Sequence, residues 1–194
     1  MYGRSGKPAA RPHLIGVDDA PFDKRQTAPV PIVGVIMEGA DRIESVAMGE
    51  FPVDGEDAAG YLAGWISGLR TRPALQGVIL GGITVAGLAV VDVAHLAERL
   101  GLPVLVVTRR NPVGSDLAEA LRSARLEHRL PLLERVPLAF GVGEGLYLAH
   151  VGTSRAEAER LVLSCLAKSR LPEPLRVAHL IGQAIVLRES RGRV

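Results

Sequence analysis

Cysteine is nearly absent: the 194-residue chain holds one, Cys165, which excludes a disulfide framework and a multi-thiolate metal site. Aromatic residues make up only 4% against 47% hydrophobic, so the core is built of Val, Leu and Ala. A nucleic-acid surface based on aromatic stacking is therefore a poor expectation. Apolar runs fall short of the roughly 20 residues that a membrane-spanning helix needs, and no cleavable signal pattern opens the chain. The expected compartment is cytoplasmic, with no membrane partner. Lysine is scarce as well, with residues 7, 24 and 168 its only occurrences, so the formal charge of +2 rests on arginine. Arginine is the better fork for phosphate, but a G+C-rich coding bias enriches it equally.

Periodicity divides what remains. Residues 1–12 read as a flexible leader of Gly, Pro and basic residues, and 13–194 as a single α/β domain. Leu14–Val17 is a short buried strand running into Asp18–Asp19. Ile32–Met37 and Arg42–Val53 follow as two more strands, joined by a turn at Gly39–Asp41. Leu62, Trp65, Ile66 and Leu69 then fall at helical spacing behind Asp57, a plausible N-cap. Gly77–Leu80 and Pro103–Thr108 are continuous apolar runs, the mark of strands buried on both faces. Between them Val90, Val93, Ala94, Ala97 and Leu100 mark a helix that Gly101 closes. Ser115 can cap the next helix, and Leu146–His150 reads as a late strand. Ser154 and Glu157 form a capping box, and Pro172 and Pro174 open the last helix.

A right-handed crossover after the third strand places the fourth beside the first and parallel to it. The expected fold is α/β: a mixed five-stranded sheet of order 3-2-1-4-5, flanked by helices, as in ribonuclease H-like proteins. In that order strands 1, 3, 4 and 5 end on one edge of the sheet, where open α/β sheets bind ligands. Asp18–Asp19, Asp54, the Gly81–Thr84 turn and Arg109–Arg110 all converge there. Hard carboxylate oxygens on such a rim suit Mg²⁺ or Mn²⁺ and a phosphate ester. Strand four, however, ends on Leu80-Gly81-Gly82-Ile83, with no acid beside Asp18.

Each residue has a plainer reading. Asp18–Asp19 can serve the turn before Pro21, and Asp54 and Asp57 can be turn and cap residues. The glycines can simply permit close packing. Asp92 suits the first turn of a helix, Arg176 a tie from the last helix to an acid of the sheet, and His179 a hydrogen-bonded core position. Cys165 faces the core, and His150, near Gly152–Thr153, is a weak candidate.

Five segments in register, GVDDAPF (16–22), VDGEDA (53–58), GGITVAGLAVVD (81–92), LPVLVVTRRNP (102–112) and LPEPLRVAHLIGQAIV (171–186), resemble a mainly archaeal family of uncharacterised proteins distantly related to endonuclease V. The resemblance implies a ribonuclease H-like fold and an ancestral Mg²⁺-dependent cut beside a deaminated purine in DNA or RNA. It matches Asp18 to the first metal-binding aspartate and puts Gly81 where endonuclease V has its Asp-Gly aspartate. The middle ligand stays open among Asp54, Glu56 and Asp57. Gly152–Thr153 replaces a Gly-His, and the Pro-Tyr-Ile-Pro wedge has no counterpart.

Asp18 and Asp19 are thus the catalytic candidates, with Asp18 and Asp54 as metal ligands. Gly82, Thr84, Arg109, Arg110 and Thr153 are the substrate-binding candidates. The expected activity is metal-dependent cleavage of nucleic-acid phosphodiesters. The alternative is an inactive nucleic-acid-binding or protein-interaction module on the same fold.

Overall fold

A computed structural model describes residues 11–109, 116–143 and 145–191. Its first strand, β1 (His13–Asp19), runs two residues further than its apolar run because Asp18 and Asp19 stay in register with Val33 and Ile32 of β2 (Val30–Glu38). β2 pairs in turn with β3 (Arg42–Phe51), also antiparallel. After helix α1 (Ala58–Ser67), strand β4 (Gly77–Leu80) lies beside β1 and parallel to it, as the crossover rule requires. A two-stranded hairpin of β5 (Thr84–Val85) and β6 (Ala89–Val90) leads into α2 (Val93–Leu100), and β7 (Val104–Thr108) follows, parallel to β4.

The 3-2-1-4-5 order is thus present, but the sheet is wider than five strands. Beyond β7 come α3 (Leu117–Ser123), α4 (Leu130–Glu134), β8 (Phe140–Gly141) and β9 (Tyr147–Val151). β9 pairs antiparallel with β7 and carries β8 on its outer side, so the order among the described residues is β3-β2-β1-β4-β7-β9-β8. The chain closes with α5 (Arg155–Ser164) and α6 (Glu173–Leu187).

Side chains alternate across the strands and build two cores. Ile15 and Val17 of β1, with Val78, Leu80, Val104 and Val106, pack under α1 and α2. Leu14, Ile79, Leu105 and Val107 face α5 and the start of α6, while Val33, Val35 and Met37 receive the rest of α6. Most of these side chains are fully buried, each contributing about 1.5–3 kcal/mol. Cys165 lies in the second core, where burial pushes its thiol up to about 11 and keeps it unreactive.

Several local expectations need adjusting. Val90 belongs to the hairpin and not to α2, which begins only at Val93; Asp92 is its N-cap, accepting from the His95 N–H at 3.1 Å. Arg176 does not reach the sheet but pairs with Glu173 of its own helix at 2.6 Å. Ser115 lies outside the described residues. Ser154 caps α5 through the Glu157 N–H, whereas the Glu157 carboxylate turns to Arg160 and leaves the box half closed.

The contact that positions everything downstream is α6 on β1. A Cβ built on Gly16 would lie 2.3 Å from the Pro174 carbonyl carbon and 2.4 Å from the Leu175 nitrogen. Four residues on, Ala20 Cα lies 3.1 Å from the position of a Cβ on Gly182. Helix backbone therefore rests on strand backbone, and only glycine fits at position 16. Gly16→Ala is expected to cost about 3 kcal/mol in denaturant unfolding. Gly64→Ala in α1, where a Cβ meets nothing within 4 Å, should be neutral or stabilising by up to about 1 kcal/mol. A Gly16→Ala cost below that of an ordinary surface change would refute the close-approach account.

Candidate functional site

Because Asp18 and Asp19 are consecutive strand residues, they point to opposite faces of the sheet. Asp18 shares the α6 face with Gly16, and the descent of α6 along β1 brings His179 to it. His179 Nδ1 lies 2.8 Å from Asp18 Oδ2. The Asp18 side chain is 22% exposed and that of His179 48%, so the pair sits at the surface of a cleft and not in the core. Sequence reasoning passed His179 over as a core histidine. The signal that it is not was its place in LPEPLRVAHLIGQ, off the buried stripe of Leu175, Ala178 and Gly182.

The tautomer of His179 follows from its neighbours. The Arg191 N–H donates to Gln183 Oε1 at 3.0 Å, which turns the Gln183 amide nitrogen toward His179 Nε2, also at 3.0 Å. Nε2 then accepts, and Nδ1 carries the proton toward Asp18. That bond to Asp18, reinforced by the aspartate's charge, raises the imidazole pKa above its usual 6.5, against partial burial and the positive charge of Arg109.

Asp19 takes the other face and a different partner. Its Oδ2 accepts from the Ala86 N–H at 3.0 Å, in the turn of the β5–β6 hairpin. Burial, and then the charge of Asp18, push the Asp19 carboxyl above the ordinary aspartate range. The diaspartate is therefore divided: one acid faces a histidine, the other holds a backbone.

Two cavities meet at this divide. The larger, about 390 Å³, is lined by Asp18, His179, Arg109, Gly81, Val107 and Leu175, among others. The smaller, about 220 Å³, is lined by Asp18, Asp19, Gly82, Thr84, Val85 and Leu62, among others. Of the substrate-binding candidates, Arg109, Gly82 and Thr84 thus lie on the rim with Asp18, while Arg110 lies outside the described residues. A Cβ at Gly81 would make only ordinary contacts with Leu175.

Two candidates do not join them. Asp54 lines neither cavity. Its Oδ1 accepts from the Leu88 N–H at 2.7 Å and its own N–H donates to the Ala86 carbonyl at 2.9 Å, so the group placed among the metal ligands is engaged with the hairpin turn. Thr153 is at the opposite edge of the sheet. β9 runs antiparallel to β7, so its C-terminal end pairs with Val104, where β7 begins, and the following Gly152 packs near Leu102 and Pro103. His150, in the same strand, pairs with Leu105 and sets its ring edge-on to Phe140.

A His13–Glu38–Glu44 group, with donor atoms within 4.8 Å of one another, forms at the other end of β1. His13 and Asp19 are the two ends of that strand, so this group does not serve the rim, and Arg42 already lies 3.2 Å from Glu38. No helix of the described residues is long and apolar enough to cross a membrane.

The strand order is that of a ribonuclease H-like fold, the fold also of endonuclease V. The chain matches the endonuclease dU family over residues 11–186 and belongs to it. Its relatives include a UPF0215 protein of Methanothermobacter thermautotrophicus, 36% identical over 92% of this chain and 90% of that one. Another, of Deinococcus radiodurans, is 37% identical over 93% and 92%. Among solved structures, a protein of unknown function from Archaeoglobus fulgidus superposes with a TM-score of 0.82 at 30% identity, covering 91% of this chain and 99% of that one. Endonuclease V of Bacillus subtilis gives 0.58 at 15% identity, over 91% and 80%, a likeness of fold alone.

The Asp18–His179 bond fixes a titration. The histidine's contribution to folding is expected in full below pH 6.5 and to be lost as pH rises through its raised folded value. In an NMR titration the His179 midpoint should lie above 6.5 and fall back in Asp18→Asn. A midpoint indifferent to that change would break the pairing.

Proposed function

We propose that this chain is a divalent-metal-dependent endonuclease acting on nucleic-acid phosphodiesters at deoxyuridine, the residue that the family's description names. One observation carries the reading: Asp18 stands where two cavities meet, and His179, 2.8 Å from it, lines the larger together with Arg109. A carboxylate oxygen and an imidazole nitrogen fit one cation of borderline character, and they favour Mn²⁺ over Mg²⁺, which prefers oxygen donors alone. When bound, such an ion supplies a polarised phosphoryl oxygen and an activated water.

The chain's own groups supply the rest. Arg109 carries the charge that draws a phosphate into the larger cavity. His179, held by Gln183, would offer Nδ1 to the ion beside Asp18 once its proton is lost, and the cleaved ester oxygen would take its proton from water. The smaller cavity, walled by Thr84, Val85 and Gly82, gives the nucleotide beside the cut a place out of water.

The test is cleavage of deoxyuridine- and inosine-bearing DNA and RNA strands with Mn²⁺ or Mg²⁺. Turnover with Mn²⁺ should fall at least about 100-fold in Asp18→Ala and His179→Ala. No turnover with either ion, or turnover indifferent to Asp18→Ala, rejects the reading.

Gly81 favours a second reading. With no acid beside Asp18 at the end of β4, the rim can bind a strand without cutting it. That module predicts binding that weakens steeply with salt and no cleavage under any metal.

A further inference from the structure

Arg129 is 3% exposed, and buried arginines are rare unless the chain has placed a partner for each donor. Its partners are mostly not charges. Nη1 donates to the Leu88 carbonyl at 2.8 Å, and Nη2 donates to the Asp54 carbonyl at 2.6 Å and to Glu56 Oε1 at 2.6 Å. Arg129 ends a 3-10 turn, Glu127–Arg129, remote in sequence from all three.

What it grips is a closed set of bonds. Leu88, held through its carbonyl by Arg129, gives its N–H to Asp54 Oδ1; Asp54, held the same way, gives its N–H to Ala86; and Ala86 gives its own N–H to Asp19. The set includes two left-handed non-glycine residues, Asp54 at φ 52° and Ala86 at φ 47°. Such conformations persist only where the surroundings over-determine them. A Cβ on Gly87, at φ 102°, would lie 2.4 Å from Asp54 Oδ1, so the turn fits closely over the carboxylate.

From this we infer that Arg129 is a positioning residue for the candidate site: acting through Asp54, it fixes the β5–β6 hairpin so that Ala86 meets Asp19 and Thr84 and Val85 form the wall of the smaller cavity. The inference rests on the reading of that rim as the substrate site, and it gives the hairpin, not the metal, as the element Arg129 governs. It also assigns Asp54 a task that needs an acceptor oxygen and no negative charge.

Amide hydrogen exchange on the unliganded chain tests it without any activity. In Arg129→Met the Ala86 and Leu88 amides should exchange at least about tenfold faster, while Ile79 of β4 and Val35 of β2 change less than about threefold. Asp54→Asn, which keeps the oxygen acceptor, should leave both hairpin amides protected, whereas Asp54→Ala should release them. In cleavage assays Arg129→Met should raise KM about tenfold and leave kcat within about threefold, because the wall moves and the Asp18–His179 pair does not. Arg129→Lys should recover part of the protection.

Hairpin amides unchanged in Arg129→Met overturn the inference. So does acceleration spread evenly over Ile79 and Val35, which would make Arg129 a general stabiliser. Release in Asp54→Asn would likewise defeat the account of Asp54. Should the native chain cleave nothing while the exchange pattern holds, the nuclease reading falls and the clasp stands.

Discussion

Helix α6 lies on β1 with no side chain between them at Gly16, and the geometry of the rim descends from that contact. A strand residue repeats its face every two positions, so Gly16, Asp18 and Ala20 form a row facing α6. Opposite that row the helix sets Pro174 and Leu175, then His179, then Gly182. A helix rises about 1.5 Å per residue and a strand about 3.3 Å. Four helical residues from Leu175 to His179 therefore match the two strand residues from Gly16 to Asp18. The close approach at one end of this row thus determines the pairing of acid and histidine at its middle. Were α6 lifted by the thickness of a methyl group, a 2.8 Å bond at the rim would not survive.

The opposite face of β1 is built by a different device. There Asp19 has no helix backbone to meet, and the space is closed by the β5–β6 hairpin, whose turn is bound from Asp19, from Asp54 and from Arg129. Desolvation keeps Asp19 reluctant to ionise, and the Ala86 N–H offsets part of that cost. Adjacent acids on one strand thus have separate hydrogen-bond partners, with Asp18 open to a cleft and Asp19 committed to a hairpin. The charge of one raises the pKa of the other, and the sheet between them keeps them from sharing a hydrogen-bond partner.

Much of the fold was legible because it rests on local rules. The apolar runs Gly77–Leu80 and Val104–Thr108, Gly101 at the end of α2, Ser154 before α5 and the handedness of one crossover give the central order directly. The β5–β6 hairpin and the β8–β9 extension were harder. The first has two strands of only two residues each, too short for alternation to appear. The second pairs a two-residue strand with a late strand whose direction nothing in its own residues reveals. Thr153 became a candidate through the family's Gly-His position, and the antiparallel pairing of β9 with β7 carries it away from the rim. His179 was read as a core position because it lies close to the apolar stripe of α6, and helical periodicity reports only burial. It is silent on what an exposed residue faces across 161 positions of sequence. Asp54 was seen as an acid at a strand end, and the Leu88 N–H that its carboxylate accepts lies 34 residues away, beyond the reach of local pattern.

The absent acid at Gly81 also changes meaning once the neighbours are in place. An aspartate there would stand at the end of β4, beside Asp18 at the end of β1, and the two charges would need a cation between them to coexist. With glycine, Asp18 instead finds its complement in His179, a group that can carry positive charge itself. The rim is therefore stable without an ion, and an ion that binds must compete with the proton on Nδ1. That competition predicts a site whose metal affinity rises with pH through the titration of His179 and which holds fewer charges than a two-carboxylate centre.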